Sequence, residues 1–344
     1  MNLFRKIAKI SLILVYIVII AGAVVRMTGS GMGCPDWPKC FGYYIPPTNV
    51  EALQWQPNRE FKKGHVIILD ETLQVAKSNF ITSKEYKTEN WEEYTKHDYA
   101  QFNVWHTWIE YINRLVTVIL GIPMLLLLIL SLFLFKKDKL LTYFTILTLL
   151  VLGVQAVLGK IVVDTNLKAG MITVHMFIAF LLIALLLVLI YKSSTQKPKF
   201  PKLDKTTRNL IWLTALITLA QVTLGTQVRE FIDQQIDQLG ENAKHLWLQE
   251  PTLKFYVHRS FSIVIVMLNV ALAIKLFRSY PNYNKIKWVL VFVGLSVITG
   301  IAMSYFDFPF ATQPLHLVLA ALLFGVQFFI FLETSNWLKG DKTS

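Results

Sequence analysis

The sequence predicts an all-α integral membrane protein: eight transmembrane helices forming two parallel-repeat four-helix bundles, with a long extracytoplasmic loop after the first helix. Three observations lead there. Of 344 residues, 54% are hydrophobic and 16% charged, where a soluble chain carries about 25% charge, and mean hydropathy is +0.48. The apolar residues gather into eight stretches long enough to cross a bilayer as helices. The second half of the chain also echoes the first. The net charge of +12 does not call for nucleic acid, because the basic residues are scattered between apolar spans, where membrane orientation accounts for them.

The spans read as about 7–25, 108–135, 140–161, 170–191, 209–228, 255–277, 286–306 and 314–335. Lys and Arg set their orientation. The N-terminus (Arg5, Lys6, Lys9), the segments Lys136–Lys139, Lys192–Arg208 and Lys275–Lys287 and the C-terminal tail hold 18 basic and 4 acidic residues; the opposite side holds 16 and 18. Both termini are therefore expected in the cytoplasm. The apolar core Ile10–Val25 is longer than a signal peptide's h-region of about 7–15 residues, which favours a retained helix. The short segment ahead of it suggests a bacterial cell (inner) membrane rather than an organelle-targeted precursor.

Residues 26–47, RMTGSGMGCPDWPKCFGYYIPP, are punctuated by Gly and Pro and read as a structured loop. Cys34 and Cys40, the only cysteines, fall on the side where thiols oxidise. They read as a disulfide, with free thiols as the plain alternative and a metal site disfavoured, since no His lies nearby in sequence. The rest of loop 27–104 is polar and aromatic and is expected to cap the helices. His65 and His97 within it read as surface residues, as does His245 in the 25-residue loop expected after the fifth span.

The loop runs into VWHTWIEYINRLVTVIL, Val104–Leu120. His106, Glu110 and Asn113 stand at i, i+4 and i+7, on one helix face, and Arg114 precedes about 21 uncharged residues, enough to cross a bilayer. A charge near a span costs about 2.5–3.5 kcal/mol if it reaches the centre, so a functional site is the first reading. A helix-start Glu favoured by the dipole is the plain one.

The repeat shows at fixed shifts. A shift of 141 places Gly153 on Gly294, Gly159 on Gly300 and His175 on His316. A shift of 145 places Asn113–Arg114 on His258–Arg259, and one of 203 places Gly22 and Val25–Arg26 on Gly225 and Val228–Arg229. Each half is thus a four-span unit, 1–195 and 196–344, in one orientation. His258 and His316 open two helices at matched depth, which suits two axial ligands for heme iron. Arg259 beside them can pair with a propionate or simply snorkel. The first half has Asn113 and His175 in those places and adds Glu110. That asymmetry suggests a permanent cofactor in one half and chemistry in the other, with Glu110 able to carry protons.

At these residues the chain resembles the heme A synthase family. The motifs are RMTGSGMGCPDWPKC after the first span, WIEYINR opening the second, GxxxxxG in the third with His175 beyond it, and the His258–Arg259 and His316 positions. The resemblance implies an oxidoreductase of heme biosynthesis that converts a methyl group of heme O to the formyl group of heme A, in support of cytochrome oxidase assembly. It implies heme b held by His258 and His316 in the second bundle, and heme O as substrate in the first, on His175 with Asn113 or His106 nearby. Glu110 would be the catalytic residue, Cys34–Cys40 the outer-loop pair, and Arg26, Arg114, Arg229 and Arg259 candidate propionate contacts. The family pattern has His where this chain has Asn113; His106 lies about 10.5 Å away along the helix axis, too far to replace it without moving the heme. Expected partners are heme O and its supplying enzyme, the terminal oxidase under assembly and membrane lipid, with no nucleic acid. The electron acceptor and homo-oligomerisation are left open. A diheme b-type electron-transfer protein and a transporter with parallel repeats are the competing readings.

Overall fold

The computed structural model describes residues 1–96, 101–165, 167–194 and 203–335; His97 lies outside them. Eight helices among the described residues are long and apolar enough to cross a membrane: α1 Asn2–Met27, α2 Val104–Phe133, α3 Lys139–Asp164, α4 Gly170–Lys192 with its first turn beginning at Ala169, α5 Lys205–Leu239, α6 Leu253–Ser279, α7 Lys285–Tyr305 and α8 Thr312–Thr334. The protein is a multi-pass, all-helical membrane protein with little sheet.

Local signals start the helices. Asn103 accepts from the Trp105 and His106 N–H groups, Asp138 from Leu141 N–H at 3.0 Å, and Asp204 from Thr207 N–H at 3.1 Å, the N-cap contact that satisfies first-turn donors. In α1 the buried residues Phe4, Ala8, Ser11, Val15, Ile19 and Ala23 recur every three or four positions, a single stripe facing the protein. The other sides carry exposed Ile10, Ile13, Ile17 and Ile20, as lipid-facing surface requires.

Helices α1, α2, α3 and α4 pack as a closed ring of neighbours, and α5, α6, α7 and α8 form another. Between the rings α4 meets α8 and α5, and α1 meets α8. Buried residues run almost unbroken from Ala179 to Tyr191 in α4, and Phe180 packs on Phe324 of α8 at 5.1 Å. These two helices are the most buried of the eight, with 56% and 50% of their most apolar stretches inside the protein.

Two features depart from the sequence reading. Helix α5 continues eleven residues past 228, through REFIDQQIDQL to Leu239, so the loop expected there is about half as long. Good helix formers fill the extension. Ile232 and Ile236, four apart, pack with Trp247 and Phe308, and Asp233 pairs with Arg26 at 2.6 Å and Arg229 at 2.8 Å. Gly240, at φ +89°, then ends the helix.

The cap also contains short strands. Strands β2 (Val66–Leu69), β3 (Thr72–Ala76) and β5 (Trp91–Glu93) form an antiparallel sheet in the order β2-β3-β5, while β1 (Glu60–Phe61) pairs with β4 (Phe80–Ile81). Asp70 and Glu71 both take positive φ, giving the two-residue turn that matches strand twist. Behind it Phe61, Ile67, Ala76 and Trp91 form a core. His65, read as a surface residue, is half-buried and stacks on Tyr43 at 4.3 Å; His245 is exposed.

Candidate functional site

The second ring brings His258 of α6 and His316 of α8 together, their ring centroids 6.4 Å apart. Axial imidazoles on a shared iron have centroids about 6 Å apart, from two bonds of about 2 Å and about 1 Å within each ring. The observed spacing fits. No group of three or more His, Cys, Asp or Glu among the described residues is placed to hold a metal ion. A two-donor pair instead suits an iron whose other four bonds come from a macrocycle.

The surroundings orient these rings. Thr299 Oγ1 lies 2.9 Å from His316 Nδ1 and also 2.9 Å from the Leu295 carbonyl oxygen. Its single hydrogen goes to that carbonyl, so the oxygen accepts from His316 Nδ1–H and the Nε2 lone pair is left for iron. This tautomer is assigned from the network. The Nδ1 atoms of His258 and His175 are buried without a partner.

Glycines lie against all three rings. A Cβ on Gly225 would stand 3.1 Å from His258 Cε1; on Gly159, 3.6 Å from His175 Cε1; on Gly300, 3.6 Å from His316 Cε1. A fourth, on Gly22, would stand 3.8 Å from Asn113 Oδ1, itself buried and unpartnered. One turn before two of these glycines a glutamine secures the histidine's backbone: Gln221 Nε2 donates to the His258 carbonyl at 2.9 Å and Gln155 Nε2 to the His175 carbonyl at 3.0 Å. The signal was present as QAVLG and QVTLG, Gln155–Gly159 and Gln221–Gly225. The sequence reading aligned Gly22 with Gly225 and Gly159 with Gly300 without assigning these contacts, and it missed Thr299 and both glutamines.

In the first ring Glu110 is 4% exposed. Its Oε2 accepts from Cys34 N–H at 2.8 Å and its Oε1 from Arg114 Nη2 at 2.5 Å. Arg114 also donates to the backbone carbonyls of Asp36 (2.7 Å), Lys39 (2.9 Å) and Cys34 (3.1 Å). Thr107 Oγ1 donates to the Gly33 carbonyl at 2.8 Å. The loop after α1 is therefore tied down on the first turns of α2. Cys34 and Cys40 are disulfide-bonded within it, S–S 2.03 Å. Asp36 closes the loop by accepting from the N–H groups of Phe41 (2.5 Å) and Gly42 (2.9 Å). Burial raises its carboxyl above the ordinary aspartate value, while those N–H groups and Arg114 pull it down.

The remaining candidates disperse. Arg26 and Arg229 meet at Asp233, and Arg229 Nη2 donates to the Arg26 carbonyl at 3.0 Å while its Nη1 is buried and unpartnered. Arg259 is exposed and lies over the Phe255 and Tyr256 rings. His106 is half-buried in the first turn of α2, its N–H capped by Asn103.

Fold and site together define a membrane protein with a paired-imidazole site in one helix ring and a buried carboxylate in the other. Residues 5–328 match the model of the cytochrome oxidase assembly protein family, COX15-CtaA, and the chain belongs to that family. It is similar to a heme A synthase of Rickettsia prowazekii, 24% identical over 97% of this chain and 99% of that protein. Similar too are a heme A synthase of Rickettsia felis, 26% identical over 94% and 96%, and one of Bacillus licheniformis, 23% identical over 95% of each chain.

Proposed function

We propose that this protein is a heme A synthase, a membrane oxidoreductase that converts heme O to heme A for cytochrome oxidase assembly. Family membership and the named relatives support the activity. The observation that carries it to this chain is the His258–His316 pair at 6.4 Å, with an ionisable Glu110 buried in the other ring.

His258 and His316 hold heme b, with Thr299 and Gln221 orienting them. A bis-imidazole heme supplies a reversible one-electron carrier. The first bundle, 1–195, takes heme O on His175, and Asn113 presents a carbonyl oxygen that can accept from a water beside the substrate. Glu110 is the proton carrier, and Arg114 and the Cys34 N–H hold it in place. Arg26, Arg229 and Arg259 are candidates for heme propionates; Arg114 already serves the loop. The two bundles descend from a parallel duplication, which the matching glycine contacts support. Both termini face the cytoplasm of a bacterial cell, in its inner membrane. An enzyme supplying heme O and the terminal oxidase are the expected partners.

A diheme electron carrier has no use for Glu110, and a transporter has none for the histidine pair. The test is heme extraction from cells that make heme O and express the chain. Formyl heme that depends on the protein supports the reading; unchanged heme O with the protein inserted in the membrane refutes it.

A further inference from the structure

A groove of about 430 Å³ opens between the outward end of α5 and the start of α6, within the range of small-molecule sites. Leu224, Phe231 and Val257 form its apolar wall, and Gln227, Glu230 and Lys254 bring polar groups to it. It borders the paired-imidazole site on both sides: Leu224 precedes Gly225, Val257 precedes His258, and Gly225 and His258 are in contact. Adjacent helical residues differ by about 1.5 Å along the axis and about 100° around it. The inner end of the groove therefore lies at the depth of the histidine, around the corner of the same two helices, and the rest extends outward from it. Its rim is open to lipid: Leu253 is 76% and Val257 43% exposed.

We propose that this groove docks a membrane quinone, the oxidant of the reaction; the inference rests on the heme A synthase reading. That reading requires an electron acceptor. With water as oxygen source, methyl plus one water gives formyl plus four electrons and four protons. Two quinones take up these electrons and protons and leave as two quinols, so atoms and charge balance. The lining matches the ligand. Apolar side chains receive the ring, the Gln227 amide and the Lys254 ammonium donate to its carbonyl oxygens, and Glu230, half-buried, passes protons to the reduced oxygens. The isoprenoid tail leaves across Leu253 and Val257 into the bilayer. A phospholipid offers the same amphiphilic shape but accepts no electrons, and it is the competing occupant in the test.

The experiment is photolabelling of the full-length, detergent-purified protein with an azido-substituted short-chain benzoquinone, followed by peptide mapping. Label is expected on residues 224–234 and 252–257, displaced by unlabelled quinone and not by phosphatidylglycerol. Gln227→Trp, which fills the groove, and Lys254→Met, which removes a donor without filling it, are each expected to lower labelling about tenfold while keeping the wild-type absorption spectrum. In parallel, re-oxidation of dithionite-reduced protein by the quinone should slow in both variants, with re-oxidation by ferricyanide unchanged. Label outside the groove, label displaced by phospholipid alone, or wild-type labelling in both variants overturns the proposal. Formyl-heme production without groove labelling refutes the groove alone; groove labelling without formyl heme refutes the activity it rests on.

Discussion

Gly33→Ala is expected to lift the loop after α1 off helix α2. The added Cβ would overlap the His106 carbonyl oxygen and lie 2.5 Å from its carbon and 2.7 Å from Thr107 N, where ordinary contact begins near 3.4 Å. All three atoms belong to helix backbone, so the loop must move by about 1 Å, enough to break bonds now at good length. Two are immediate: Thr107 Oγ1 to the Gly33 carbonyl and Cys34 N–H to Glu110, both 2.8 Å. A neutral bond contributes about 1 kcal/mol and one to a carboxylate about 2 kcal/mol. The loss of about 3 kcal/mol raises local opening about a hundredfold. Hydrogen exchange at the Cys34 amide reports it directly. Gly31→Ala is the control, since the three atoms nearest its Cβ all belong to the Leu167 side chain, from 2.9 Å, which can rotate away. Equal exchange at Cys34 in the wild type and Gly33→Ala would refute the docking argument.

Four further outcomes follow from the same geometry. His258→Ala or His316→Ala is expected to remove the tightly bound heme while the protein still inserts, read from the absorption spectrum of each purified variant. Thr299→Val removes the hydroxyl at His316 Nδ1 and should weaken heme retention by about 10–100-fold, measured by transfer to apomyoglobin; unchanged retention would show that Thr299 does not orient the ring. Gly225→Ala crowds the His258 ring at 3.1 Å and should perturb that heme's low-spin spectrum, whereas Gly153→Ala, with nothing within 4 Å, should not. Glu110→Gln keeps a carbonyl oxygen for Cys34 N–H and leaves Arg114 its three loop carbonyls, so exchange at Cys34 should stay slow while formyl-heme production stops. Fast exchange in that variant would make Glu110 a loop anchor first.

The spans were legible because length and hydropathy alone decide them, and the histidine pair because His258 and His316 each open a span on the same side of the membrane. The extension of α5 was not, because Ile232 and Ile236 gain meaning only from Trp247, folded back from the following loop, and Phe308, which arrives from beyond α7. The β2–β3 hairpin was missed because Asp70–Glu71 is no customary turn pair, although VIIL and TLQVA are strand-like. The roles of Gly159 and Gly225 exist only across helices: a single sequence shows a small residue, and the facing imidazole explains it. Arg114 read as a cation at a membrane mouth, and its loop partners lie 75 to 80 residues away.

The division of labour between the two bundles is tested most directly by electron paramagnetic resonance of the ferric protein loaded with heme O. His258 and His316 together should give one low-spin signal. His175, with Asn113 where a second imidazole would stand, should give a high-spin signal from the substrate heme. Two low-spin signals, one of them turned high-spin by His106→Ala, would contradict the account and make His106 the missing ligand.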